Sequence, residues 1–211
     1  MPYNPNQPQG RGMPMQHDEE KHHMNMEEKK NHLRELLDDI CTYLYSGVHY
    51  HQKAANCFRL LSCRGFGRLH EHMSKLEFCE LQELEKLCVD KLWHLPHVDM
   101  GKVTKAEEWE IKDLNGLKPF FDDWMKRESI YEECINEAIN YARKIDMEIY
   151  GKLVCIADRY QEEVFRAHLL KNRLALAGWS GADLALVNQI IHDYYEHGKI
   201  DPRKPMDYNL G

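Results

Sequence analysis

No run of apolar residues in this sequence is longer than four or five, whereas a membrane-spanning helix needs about 20. No membrane span is therefore expected. No charged-then-apolar leader precedes a small-residue cleavage site, so the expectation is an intracellular, cytoplasmic protein. The seven cysteines form no Cys-x-x-Cys pair and are odd in number, which argues against both a disulfide framework and a zinc ribbon. No block of Lys and Arg occurs and the net charge is −7, so nucleic acid is not an expected partner, because phosphate neutralisation dominates such binding. A Gly-x-Ser-x-Gly elbow is absent, which leaves a nucleophilic hydrolase unsupported. Gly65-Phe66-Gly67 is too short for a dinucleotide fingerprint, and no P-loop lysine follows it. Proline is missing from Pro14 to Pro96 and again from Phe120 to Asp201, a distribution that favours long helices over strands.

The 211 residues are 43% hydrophobic and 30% charged, enough for one domain with its own core. Apolar residues recur with a helical period: Leu33, Leu37, Ile40, Leu44 and Val48, then Phe66, Leu69, Met73, Leu76, Leu84 and Leu87. Trp124, Tyr131, Ile135, Ala138 and Ala142 follow on a third stripe, and Leu153, Ile156, Tyr160, Ala167, Leu170 and Leu174 on a fourth. These patterns predict four long helices near 28–58, 66–94, 119–146 and 149–177, with a shorter one at 181–197. Ser62, Gly65 and Gly67 are expected to break the first hairpin, and a turn is expected near Met147 to Gly151. A short helix is expected at Lys105 to Lys112 within the long link. Residues 1–27, rich in Pro, Asn, Gln and Gly, read as a disordered tail, 28–200 as the bundle and 201–211 as an extension. The fold class expected is all-α: two helical hairpins joined by a long crossover, the ferritin-like four-helix arrangement, with a short fifth helix.

Several core positions carry the wrong chemistry for an ordinary bundle. Glu80 sits at the centre of the second apolar stripe with Glu77 beside it, Glu128 falls between Trp124 and Tyr131, and Glu163 falls between Tyr160 and Ala167. Glu128 and Glu163 lie at matched height from the turn near residue 146. Buried ionised carboxylates need a counter-charge, and a cation supplies it. Hard oxygen donors suit iron, with manganese or zinc as alternatives. The first helix offers Asp39 or His51, and the spacing does not choose between them. The competing reading rotates each helix slightly, so that Glu77, Glu80 and Glu163 reach solvent or pair with Arg64, Arg127 or Arg159.

Gly65-Phe66-Gly67-Arg68-Leu69-His70-Glu71, continuing to Leu87 and Trp93-His94-Leu95-Pro96, resembles the second helix of bacterioferritins and ferritins. Glu137-Ala138-Ile139-Asn140-Tyr141-Ala142 resembles their third helix, a register that puts Glu128 on the metal-binding glutamate, and Gln161-Glu162-Glu163 lies where the fourth-helix glutamates sit. The resemblance implies iron binding among Glu128, Glu163, Glu80, Glu77 and Asp39 or His51, one or two iron ions held there, ferroxidase-type oxidation, and a homo-oligomeric shell that stores ferric mineral. Glu77 is followed at the family's Glu-x-x-His spacing by Glu80, and Glu162 and Glu163 by Phe165 and Arg166. Those departures put oxidation in question, and no methionine stands out as a haem ligand, so haem is not expected. The alternative is a non-catalytic ferritin-like assembly protein that has lost the ferroxidase centre.

Overall fold

Asn25 and Glu28 start the first helix by satisfying each other: Glu28 N donates to Asn25 Oδ1 at 3.0 Å, and Asn25 N donates to Glu28 Oε2 at 2.7 Å. The structure, a computed structural model, describes residues 24–106, 111–176 and 178–197, and all regular structure among them is helical. Helix α1 runs Met26–Leu60, α2 Arg64–Leu92, the short α3 Met100–Ala106, α4 Leu117–Ile145, α5 Met147–Leu176 and α6 Gly181–His197. The expected tail lies outside the described residues up to 23, and the expected extension lies wholly outside them. Four long helices, a crossover and a short fifth are all present, each long helix beginning two residues before its expected start.

The connections are tighter than expected. The α1–α2 turn is Leu61 to Cys63, with Ser62 in the left-handed region at φ 61°. Gly65 and Gly67 are not its breakers but lie inside α2 as points of close approach. A Cβ on Gly65 would sit 2.0 Å from the Asn188 carbonyl oxygen of α6. Asn188 also caps α2 from a distance, its Oδ1 accepting from Gly65 N at 2.7 Å and Phe66 N at 3.2 Å. The α4–α5 turn is the single residue Asp146, whose N–H closes α4 on Ala142 while its carboxylate accepts from Glu148 N and Ile149 N at 2.9 and 3.0 Å. Gly151, expected in that turn, is ordinary helix. The short crossover helix begins at Met100 rather than Lys105, because Asp99 Oδ1 accepts from Gly101 N and Lys102 N.

Contacts such as Ser74 Oγ donating to Val48 O at 2.9 Å, and Arg34 Nη2 donating to Leu92 O at 2.9 Å, set α1 and α2 antiparallel. The crossover is latched to α1 by Asp38, which accepts from His97 N at 2.9 Å and lies 2.6 Å from His94 Nε2. The core is not continuous. One apolar cluster takes Tyr50, Phe58, Phe66, Met73, Phe121, Trp124 and Leu170 with α6, and another takes Leu33, Leu44, Leu81, Tyr131, Ile135, Leu153 and Tyr160. Between Leu44 and Tyr50, Met73 and Leu81, Trp124 and Tyr131, and Tyr160 and Ala167, all four long helices pass through a belt that belongs to neither cluster.

Candidate functional site

The belt is where the inward carboxylates stand. Glu80 and Glu128 are both buried at 6% exposure, as their positions on the apolar stripes require. Glu128 Oε1 accepts from Trp124 Nε1, one turn earlier, at 3.0 Å. The Tyr160 hydroxyl donates to the Glu128 carbonyl oxygen, tying α5 to α4 at the same height. Burial pushes the Glu128 carboxyl above its usual range, and the Arg127 guanidinium and the hydrogen bonds pull it back only in part. Glu80 pairs with Arg159 of α5, Nη2 to Oε1 2.8 Å, so one of the arginine pairings weighed from the sequence exists. Burial still raises the Glu80 carboxyl to about 7, opposed by Arg159 and Lys152.

Glu77 lies against bare backbone. A Cβ on Gly47 of α1 would be 2.2 Å from Glu77 Oε1 and 2.4 Å from Oε2, so the carboxylate occupies the room a first-helix side chain would fill. That explains why α1 supplies no glutamate here. His51 is completely buried, with Nδ1 2.9 Å from His70 Nδ1 and Nε2 3.9 Å from Glu77 Oε1. Burial holds both imidazoles neutral, His70 down at about 3 and His51 well below its ordinary value, the latter also depressed by His70 and Arg127. Asp39 is not inward. It follows Asp38 on the crossover-facing flank, 44% exposed, with Lys102 Nζ at 2.7 Å from Oδ1. The side chain of Glu163 lies outside the described residues, although its place on α5 falls within the belt.

Tyr131, read from the sequence only as an apolar stripe residue, is the least satisfied group in the belt. Its hydroxyl is buried with no hydrogen-bond partner among the described residues. Burial raises its phenol well above the ordinary range, and Glu80, Glu77 and Glu128, in that order, push the same way. Among the described residues this O–H donor, under the electrostatic influence of three carboxylates from two helices, has no acceptor at bonding distance. Its position three residues after Glu128 was the available clue. Among the described residues, no three of His, Cys, Asp and Glu gather closely enough to hold a metal ion. Glu77, Glu80, Glu128 and Tyr131 bring only oxygen donors to the belt, the donor type that suits a hard cation. They do not fit a di-iron centre with imidazole ligands, because His51 and His70 turn their Nδ1 atoms toward each other.

No protein-family model and no curated sequence matches this chain. Solved structures do. An Archaeoglobus fulgidus ferritin engineered into a closed form aligns at TM-score 0.63 and 15% identity, over 75% of this chain and 93% of its own. The open-pore ferritin from the same archaeon gives TM-score 0.63 at 14% identity over 75% and 94%. An iron-soaked variant of PmFTN gives 0.64 at 10% over 76% and 98%. The chain has a ferritin-like fold. Within that ferritin-like bundle, the departure at Glu80 has a physical consequence: where the family's spacing puts a histidine, a carboxylate is neutralised by Arg159 across the bundle.

Proposed function

We propose that this ferritin-like protein binds a divalent cation, iron first among them, inside the belt between its two apolar clusters. Glu128 and Glu77 are the ligands this reading rests on, with Glu163 the third. The observation that carries it is the Tyr131 hydroxyl, buried with no partner among the described residues and within the electrostatic reach of Glu80, Glu77 and Glu128. Such a group costs about 1–3 kcal/mol when left unpaired, and a cation both takes the phenol oxygen as a further hard donor and neutralises the carboxylates. Glu80 contributes by holding Arg159 at the edge of the site, and His51 by standing 3.9 Å behind Glu77. Asp39, on the surface, is not part of this proposal.

Iron is cargo in this reading rather than a redox pair. Ferroxidase turnover draws little support, because the Glu77 carboxylate fills the room that a first-helix side chain at Gly47 would need and the two buried histidines bond each other. Self-association and storage belong to the same proposal and rest on the fold and on exposed apolar residues of α2 and its C-cap, namely Phe78, Val89 and Trp93 at 48, 45 and 94% exposure. The second reading, a non-catalytic assembly protein, is favoured by the Glu80–Arg159 pair, which neutralises one carboxylate without metal.

Anaerobic titration of the full chain with Mn(II), followed by its paramagnetic resonance signal, tests metal binding. One tight equivalent is expected in the wild type and a loss of at least about tenfold in affinity in Glu128→Gln, which keeps the acceptor for Trp124 but removes the charge. No tight equivalent, or equal binding by both proteins, would leave the assembly reading.

A further inference from the structure

On the flank of the bundle, at the height of the belt, a cavity of about 200 Å3 opens between α1, α4 and the crossover helix α3. Its inner wall holds the half-buried Arg127. The guanidinium donates to Ser46 Oγ and to the Tyr43 carbonyl, both at 2.7 Å, and lies 5.3 Å over the Tyr50 ring. All of these partners are neutral. Among the described residues no carboxylate pairs with Arg127, and none pairs with Lys126 on the exposed rim beside it.

The acidic groups nearby are engaged elsewhere. Asp123, also in the cavity wall, accepts from the Tyr50 hydroxyl at 3.3 Å, and Glu128 is turned into the belt toward Trp124. Lys102, across the cavity on α3, is held by Asp39. A partly desolvated guanidinium normally finds an anion, because its burial costs free energy that neutral oxygens repay only in part. In a chain of net charge −7, a cavity whose lining, with Lys102 balanced by Asp39, still carries two cations against the one carboxylate of Asp123 is a local inversion of sign. The volume is below the roughly 300–1,000 Å3 of pockets that take drug-sized ligands, so the occupant is small.

We propose that this cavity binds a small oxyanion, phosphate or carboxylate, with Arg127 as the buried anchor, Lys126 closing over it, and the crossover helix forming the far wall. The proposal uses none of the cation site's ligands, and the occupant has the opposite charge.

Calorimetric titration of the full chain at fixed ionic strength, with inorganic phosphate in one arm and acetate in the other, tests it. Saturable binding with one ion per chain is expected in at least one arm, and the arm that responds identifies the headgroup. Arg127→Gln should weaken that binding about tenfold or more, and Lys126→Gln about threefold, as loss of charge-assisted contacts predicts. Arg127 also bonds α1, so its variant is read only if its melting temperature stays within that of the wild type; otherwise the exposed Lys126→Gln decides. Absence of saturable binding in both arms overturns the proposal, and so does undiminished affinity in Lys126→Gln together with any folded Arg127→Gln.

Discussion

Buried polar groups in this molecule are handled one residue at a time, and the handling differs from site to site. Glu80 has a guanidinium, Glu128 has an indole N–H, and His70 has another imidazole. Arg159→Met should therefore leave Glu80 buried and alone, a change that costs about 3–5 kcal/mol in a fully buried pair and less here, where Arg159 keeps 18% of its side-chain surface. The cost depends on pH with a definite sign. A carboxyl raised above its unfolded value stabilises the fold below the usual carboxylate range and loses that contribution as pH rises through its folded value, about 7 in the intact protein and higher without Arg159. Urea denaturation should accordingly find Arg159→Met most destabilised at pH 8 and much closer to wild type at pH 5; equal deficits at both would contradict the pairing. His70 works in the other direction. Its folded value of about 3 lies below the unfolded one, so its contribution is present above about pH 6.5 and is lost as pH falls. His70→Phe, which keeps the stacking on Phe58 but leaves His51 without its partner, should cost about 1–2 kcal/mol at pH 7. That deficit should shrink or reverse at pH 4.5, where the wild type must keep a proton off His70 in order to fold. A deficit that grows on acidification would contradict the neutral pair.

At the level of helices, some ends are held by local side chains and others by side chains borrowed from neighbours. Cys63 makes no side-chain cap for α2, and Asn188 of α6 does so instead, over the bare Gly65. Asn188→Ala should cost about 1–2 kcal/mol in chemical denaturation. Gly65→Ala should cost more, although alanine is the better helix former by about 1 kcal/mol, because the carbonyl at 2.0 Å is backbone and cannot rotate aside. If Gly65→Ala stabilises the protein, the α2–α6 contact is not as close as described. This contact also explains a difference between the sequence reading and the fold. Glycine is read as a breaker when only its flexibility is visible; at Gly65 and Gly67 the need is for closeness, set by residues 188 and 55 that are distant in the chain. Long apolar periods placed the helices to within two residues, since burial of a stripe is encoded locally. The one-residue turn at Asp146 and the early start of α3 at Asp99 depend on a single carboxylate capping backbone N–H groups, a pattern present in the sequence at both places but easily lost beside stronger apolar periods.

The whole molecule is two apolar half-cores on one set of four helices, separated by a polar belt. Glu80 and Glu128 were legible because a charged residue at a core position contradicts its own stripe. Asp39 was misplaced because it neighbours the inward residue Ile40 and a helical wheel resolves the face only to about one position. The role of Gly47 was invisible, since nothing in the sequence marks a glycine as the space for a carboxylate thirty residues later. Gly47 nonetheless offers the sharpest test of how the belt joins the two halves. Gly47→Ala places a methyl where the Glu77 carboxylate now lies, and that carboxylate, at the end of a flexible side chain, can swing away. The metal-free fold should thus change little, the gain of about 1 kcal/mol in helix propensity roughly offsetting the cost of moving Glu77. Metal linkage should change much more. A cation that binds only the folded chain stabilises it by about 2.7 kcal/mol at a hundredfold excess over its dissociation constant, so Mn(II) should raise the wild-type melting temperature and a chelator should reverse the rise. In Gly47→Ala, with Glu77 displaced, the same Mn(II) concentration should produce less than half the increase. If both proteins melt alike without metal and respond alike with it, Glu77 is not a ligand and the belt is held by its hydrogen bonds and the Arg159 pair alone.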